Sequence, residues 1–380
     1  MRTGLYIHFP FCLKKCLYCD FNSAADSRET PQEYAALLLR EMELRQQALP
    51  EPASAATLYF GGGTPSLMPP ELVGRLVEAA QRFGLEPGAE VTLEANPGTL
   101  TPEKLAGYRA AGVNRLSLGI QSFEDRLLST LGRVHTAREA VDAFEAARRA
   151  GFDNISIDLM HSLPEQSLSQ WREALARGIE LSAEHVSAYA LSVEGGTPFA
   201  SLCAAGELPL PGEEEAARMF ESTSELLCDA GYLHYEISNF ARPGRASRHN
   251  SAYWSRRSYL GFGAGAHSFL NRDGLGRRWK NAAELAGYGE AVRRGVIPEQ
   301  EAETLTLEEA VSEQFFLGLR MLDGLDLSAL ESRYGAKALV SRLAEVARLE
   351  ASGALIRNGN LVRLAPGAVI LANSIFSRFL

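Results

Sequence analysis

The sequence has no apolar run of about 18 residues, so it encodes no transmembrane helix of the usual kind. Positive charge is in deficit: 38 Lys and Arg stand against 47 Asp and Glu, a net charge of −9. A chain of that sign repels a phosphate backbone, which argues against nucleic-acid binding by the chain as a whole. Cysteine is scarce and odd in number, five in 380 residues. That count excludes a disulfide framework and points to a reducing compartment, which we take to be the cytoplasm. Cys203 and Cys228 stand alone and read as buried free thiols. The opening MRTGLYIHFPFC is apolar but lacks a small-residue cleavage site, so it reads as a strand and not as a signal peptide.

What is present is a recurring strand signal. Short apolar or β-branched runs begin at Leu5, Thr57, Glu90, Arg115, Asn154 and His185. Segments of helical period lie between them, and two of these, PEKLAGYRAAG and AREAVDAFEAARRAG, end in the glycine that stops helices. Alternation of this kind predicts parallel strands joined by crossovers. Six units predict an incomplete (β/α)6 barrel of α/β class, with an open flat sheet as the alternative. Chemistry then belongs at the C-terminal ends of the strands. The cysteine loop, GGGTP, Glu94, Gln121 and Asp158 all fall there.

The texture changes after residue 240. Residues 242 to 280 carry nine basic side chains and one acid, Asp273, among many aromatics. From about residue 304 the helical period returns, and NGN then marks a hairpin turn. Three helices and a hairpin resemble a winged helix, but residues 301–380 hold 8 basic and 10 acidic groups. A phosphate-binding face needs the opposite balance, so packing or partner docking is expected of this part. GFGAGA at 261–266 fits a dinucleotide fingerprint only in letters. It does not open the first β/α unit and has no acidic residue about 20 positions on.

The densest signal is FCLKKCLYCDF, with Cys12, Cys16 and Cys19 in the spacing C-x3-C-x2-C. Structural zinc asks for four ligands, and the only nearby fourth, His8, sits inside the first strand. Thioredoxin chemistry asks for one CxxC pair opening a helix. An iron–sulfur cubane is the third reading, with one iron left open for something other than protein. The run YFGGGTP at 59–65 lets backbone approach a ligand closely, and no Gly-Lys-Ser/Thr follows it to make a phosphate loop.

The loop, with Tyr18 before its third cysteine, resembles that of the radical S-adenosylmethionine (SAM) superfamily. YIHFPFC, YFGGGTPSL, LEANP, NRLSLGIQS, LGRVH, DLMHSLPEQ, YEISNFARPG and HNSAYW follow in order across residues 6–254. Together they resemble the branch that contains oxygen-independent coproporphyrinogen oxidase and a family of heme chaperones. The resemblance implies a 4Fe-4S cluster on Cys12, Cys16 and Cys19. It also places Tyr6, Tyr18, Gly62, Gly63, Thr64, Glu94, Gln121, Arg133 and Asp158 near SAM. It further implies heme as a ligand, with His249, Asn250, Tyr253 and Trp254 of the H-N-x-x-Y-W motif as candidate contacts and His267 as a weaker one. The oxidase pattern has a fourth cysteine where this chain has Phe21, and a segment ahead of the first strand where this chain has two residues before Thr3. Both departures favour the chaperone over the oxidase, which stands as the alternative.

The expected parts are a radical-SAM core over 1–240, a basic, aromatic-rich connecting region over 241–300, and a mostly helical, winged-helix-like domain over 301–380. The expected partners are heme and recipient hemoproteins of the respiratory chain. The reading is compatible with peripheral membrane contact and with a homodimer. Part of the basic stretch, Arg245 and Arg248 above all, is expected to face the heme propionates.

Overall fold

The computed structural model of the chain describes residues 2–25, 29–49 and 54–380. Six strands run parallel in unbroken chain order. They are β1 (Arg2–Phe9), β2 (Ser54–Gly62), β3 (Leu85–Ala95), β4 (Arg115–Gln121), β5 (Ile155–His161) and β6 (His185–Ala190). Because the order never reverses, right-handed crossovers carry every connecting helix to the same face, and the sheet curls around the other. Local chemistry sets the helices. Pro31–Ala48 and Ala137–Arg149 open with Thr30 and Thr136 in capping boxes closed by Glu33 and Glu139.

A period of two organises the strands. Leu5, Ile7 and Phe9 of β1, Leu58 and Phe60 of β2, and Leu116, Leu118 and Ile120 of β4 are buried in the main core. The residues between them are polar: Tyr6 and His8, Thr57 and Tyr59, Arg115 and Ser117, and on β5 Ser156 and Asp158. The inner face of this partial barrel is therefore built to hold polar groups, whereas a packed barrel interior is lined with branched apolar residues.

The barrel does not close on itself. β7 (Leu233–Glu236) and β8 (Asn239–Ala241) add antiparallel beyond β6. On the other side β9 (Tyr259–Phe262) runs parallel to β1, followed by β10 (His267–Leu270), β11 (Arg277–Asn281) and β12 (Glu299–Thr304) in antiparallel array. Residues 259–304 thus supply four strands of one twelve-stranded sheet, the last of them crossing residue 300. The basic side chains of β11 pair with acids of β12 and of the helix that follows it. Arg277 pairs with Glu299, Arg278 with Glu303 and Glu313, and Lys280 with Glu301.

The C-terminal region has its own core, with Val311, Phe315, Leu339, Val346 and Phe379 at its centre. Its helices Leu307–Gly318, Leu327–Tyr334 and Ala336–Ala351 pack with a small sheet of β13 (Leu325–Asp326), β14 (Leu355–Asn358) and β15 (Leu361–Leu364). The hairpin turns at Gly359, where φ is +61°. Cys203 and Cys228 are exposed, contrary to the sequence reading, because they lie on outward faces of the helices Pro198–Ala204 and Glu213–Asp229. Among the described residues no helix is long and apolar enough to cross a membrane.

Candidate cofactor and ligand site

The cysteine loop leaves β1 and folds over the C-terminal mouth of the barrel. Three backbone contacts seat it: Cys12 N–H donates to Ala24 O at 3.0 Å, Leu17 N–H to Leu131 O at 3.1 Å, and Phe199 N–H to Leu17 O at 3.1 Å. The glycine run supports it from below. Gly63 and Thr64 donate their N–H groups to Phe9 O and Phe11 O, both at 2.8 Å. A Cβ on Gly63 would stand 2.6 Å from Phe11 O and 3.0 Å from Cys12 Sγ, so only glycine fits there. With those N–H groups engaged, the run can offer a cofactor its carbonyl oxygens, which suit an ammonium group.

Cys12, Cys16 and Cys19 are each partly open to the same cavity. Burial, then the nearby thiols of Cys16 and Cys12, pushes the Cys19 thiol up, so three thiolates coexist there only around positive charge. Among the described residues no three His, Cys, Asp or Glu side chains converge on a single metal ion. A cubane asks instead that each thiolate meet a different iron. Arg133 donates to Cys16 Sγ at 3.6 Å, and Thr64 Oγ1 donates to Cys12 Sγ at 3.6 Å. His8 is not available to a metal, since its ring nitrogens meet Asn22 O at 2.8 Å and Tyr6 Oη at 3.1 Å.

Below the thiols lies a cavity of about 440 Å3. Tyr18, Gly62, Gly63, Thr64, Glu94, Gln121, Arg133 and Asp158 line it, as does Asn250 of the H-N-x-x-Y-W motif. Glu94 accepts from Tyr59 Oη at 2.8 Å and from Gly62 N–H at 3.2 Å. Burial raises its pKa to about 7. Asp158, held by Ser117 Oγ at 3.2 Å, is raised to about 6, again chiefly by burial. Two carboxyls kept partly protonated by burial are poised to take a cationic ligand or ribose hydroxyls. Gln121 sits at φ +67° and accepts from Tyr189 Oη at 2.9 Å, a strained conformation placed at the site. The Nε atoms of Arg115 and Arg133 are buried and have no hydrogen-bond partner among the described residues. Such groups ask for a ligand or water.

A second cavity, about 610 Å3, opens beside the first. Gly62, Glu94 and Phe21 border both, so Phe21 stands on the shared rim. Tyr6 faces this second space and not the first. Tyr253, Trp254, Tyr259 and Phe269 give it aromatic walls, and Glu313 and Leu317 of the C-terminal region close one side. His249 lines neither cavity. It is 1% exposed, its Nδ1 lies 2.7 Å from Thr57 Oγ1, and its Nε2 lies 2.8 Å from Tyr253 Oη. Arg245 pairs with Asp153, and Arg248 donates to Gly88 O and Ala56 O, so neither reaches this cavity.

Sequence reasoning passed over Arg115, Tyr59, Tyr189, Tyr259 and Phe269. Arg115, Tyr59 and Tyr189 carried a readable signal, being polar or amphipathic residues on the inward phase of alternating strands. Tyr259 and Phe269 did not, because their strands are four residues long and lie in a stretch without clear period.

A barrel of six parallel units with three cysteines over a polar mouth defines the radical SAM class. The profile of the Radical SAM superfamily matches residues 6–177, and that of the HemN C-terminal domain matches residues 305–371. The chain is 38% identical to the heme chaperone HemW of Bacillus subtilis, over 99% of this chain and 98% of that protein. It is 39% identical to a bovine protein described as radical S-adenosyl methionine domain-containing protein 1, mitochondrial, over 84% and 73% of the two chains. Coproporphyrinogen III oxidase (HemN) from Escherichia coli, a radical SAM enzyme, shares the fold with a TM-score of 0.86 at 23% identity, over 100% of this chain and 90% of the other. The chain therefore belongs to the HemW family of the radical SAM superfamily. Membership in that superfamily implies a 4Fe-4S cluster and SAM, and the donor set fits both.

Proposed function

We propose that this chain is a heme chaperone, which binds heme beside a SAM-ligated 4Fe-4S cluster and passes it to hemoproteins of the respiratory chain. Cys12, Cys16 and Cys19 hold the cluster. Tyr18, Gly62, Gly63, Thr64, Glu94, Gln121, Arg133 and Asp158 would surround SAM, which would complete the cluster. Such a cluster supplies one-electron chemistry when bound. Tyr6, Tyr253 and Trp254 belong to the heme site, and Asn250 to the floor of the SAM site. His249 acts by fixing Tyr253.

The observation that carries this reading is the aromatic cavity of about 610 Å3 abutting the SAM cavity. A flat apolar macrocycle needs an apolar slot with a few polar groups at its edge. Phe21 stands on the rim between the two spaces, where the oxidase pattern would place a further cysteine. In this reading the core of about residues 1–240 holds cluster and SAM, the sheet extension that runs from about residue 241 through β12 presents heme, and the C-terminal region beyond it covers heme.

The shared rim also bears on the oxidase alternative, because it puts the occupant of the second cavity next to SAM. Two assays on one anaerobically reconstituted sample separate the readings. The chaperone reading expects stoichiometric heme binding, transfer to an apo-hemoprotein, and no loss of coproporphyrinogen. Coproporphyrinogen turnover without heme retention would replace it with the oxidase.

A further inference from the structure

We infer that His267, and not His249, is the axial ligand to heme iron in this chain. The inference rests on the heme reading above and concerns the same cavity. An iron ligand needs a ring nitrogen that is free and reachable. Both nitrogens of His249 are engaged, its backbone N–H donates to Glu90 Oε1 at 2.9 Å, and its ring stacks on Tyr59 with centroids 4.9 Å apart. A Cβ on Gly4 would come within 3.2 Å of that ring. To ligate iron through Nε2, His249 would have to give up its hydrogen bond to Tyr253 Oη and shift from a packed slot in which Thr57 holds its Nδ1.

His267 meets the requirement. It is exposed, lines the second cavity, and makes no hydrogen bond through its ring among the described residues. It opens β10, and Phe269, two residues on, shares its face. Across the sheet Phe269 pairs with Tyr259 and with Arg278, so an imidazole stands at the end of an aromatic wall. Partial burial and the charge of Lys280 lower its pKa, which keeps the ring neutral and able to bind metal near neutral pH.

The glycine run before it now has a use. A Cβ on Gly263 would stand 2.6 Å from His8 O, and one on Gly265 would stand 2.5 Å from Asn22 Nδ2. GFGAGA is thus the tight turn that leads into His267 and packs against the end of β1 and the cysteine loop. Asn22 fastens the two, donating to Ala264 O at 3.2 Å and Ala283 O at 3.1 Å. The heme ligand and the cluster loop share one clasp.

The test is a titration of the full-length reconstituted protein with ferric heme, following the Soret band of wild type, His267→Ala, His267→Gln and His249→Gln. Wild type is expected to show an imidazole-type spectrum, and His249→Gln should keep that band position even where its affinity falls through the loss of its hold on Tyr253. Both His267 variants should shift the band and weaken binding at least about tenfold, and added imidazole should restore the spectrum. Circular dichroism checks that the variants are folded. Unchanged spectra and affinity in both His267 variants would overturn the assignment alone. A wild type that binds no heme would overturn the chaperone reading with it.

Discussion

Replacing Glu94 with Gln should stabilise the cofactor-free chain while weakening its affinity for SAM. The folded pKa of Glu94 is raised to about 7, chiefly by burial. Its unfolded value lies near ~4.3. Well below that value both states carry the proton and the mismatch has no effect. As pH rises through the window up to about 7 the unfolded chain ionises first, so stability falls. The penalty is about 1 kcal/mol at pH 5 and at most about 3 kcal/mol at pH 8, because water enters through the cavity. The amide keeps the local contacts. Its oxygen can accept from Gly62 N–H, and its NH2 can donate to Tyr59 Oη, which then turns to accept. Chemical unfolding of both proteins, free of cluster and SAM, at pH 5 and pH 8 reads the difference directly. A Gln variant less stable than wild type at pH 8, or a gain independent of pH, would refute the burial argument. Where SAM binds the ionised carboxylate, wild-type affinity should also rise about tenfold between pH 6 and pH 8, and the Gln variant should lose that dependence.

Two further perturbations probe how the site is held. Glu41 is fully buried and accepts from Arg45 Nε at 2.9 Å, Gly263 N–H at 2.8 Å, Asn281 Nδ2 at 2.8 Å and Tyr288 Oη at 2.9 Å. Glu41→Gln should cost about 3–5 kcal/mol by denaturant unfolding, and a loss under 1 kcal/mol would show that the network is not what anchors the turn. Asn22→Ala removes the clasp between the cysteine loop and the turn of residues 263–266. Hydrogen exchange at Gly265 and Ala266 should quicken and heme affinity should drop severalfold with iron content unchanged, whereas unaltered exchange would dissociate the two.

The barrel was legible because its strands alternate and its helices carry their stops. Arg115 and His185 begin strands at the residues the pattern indicates, and β1 to β3 start three to five residues earlier than their apolar cores suggest. The cysteine loop was legible from spacing and Glu94 from its place at a strand end, whereas Asp158 lies in the middle of β5 and reaches the cavity from the inward face of the strand, not from its end. The sheet extension was not, since β9 to β12 are short and their charged faces pair with one another. The burial of His249 was not legible either. A histidine in a motif with Tyr and Trp looks like a metal ligand until Thr57, 192 residues away, is seen to take one of its nitrogens. Tertiary contacts of that range leave no local signature. The converse holds for His267, whose freedom shows only once the glycine turn before it is folded.

The most direct test of the account is a heme titration of the reconstituted, SAM-loaded protein, reading heme stoichiometry and bound SAM on the same sample. We predict one heme per chain with SAM retained, since the two cavities adjoin but do not coincide. Cluster and SAM present with no heme bound, or heme that displaces SAM one for one, would contradict it.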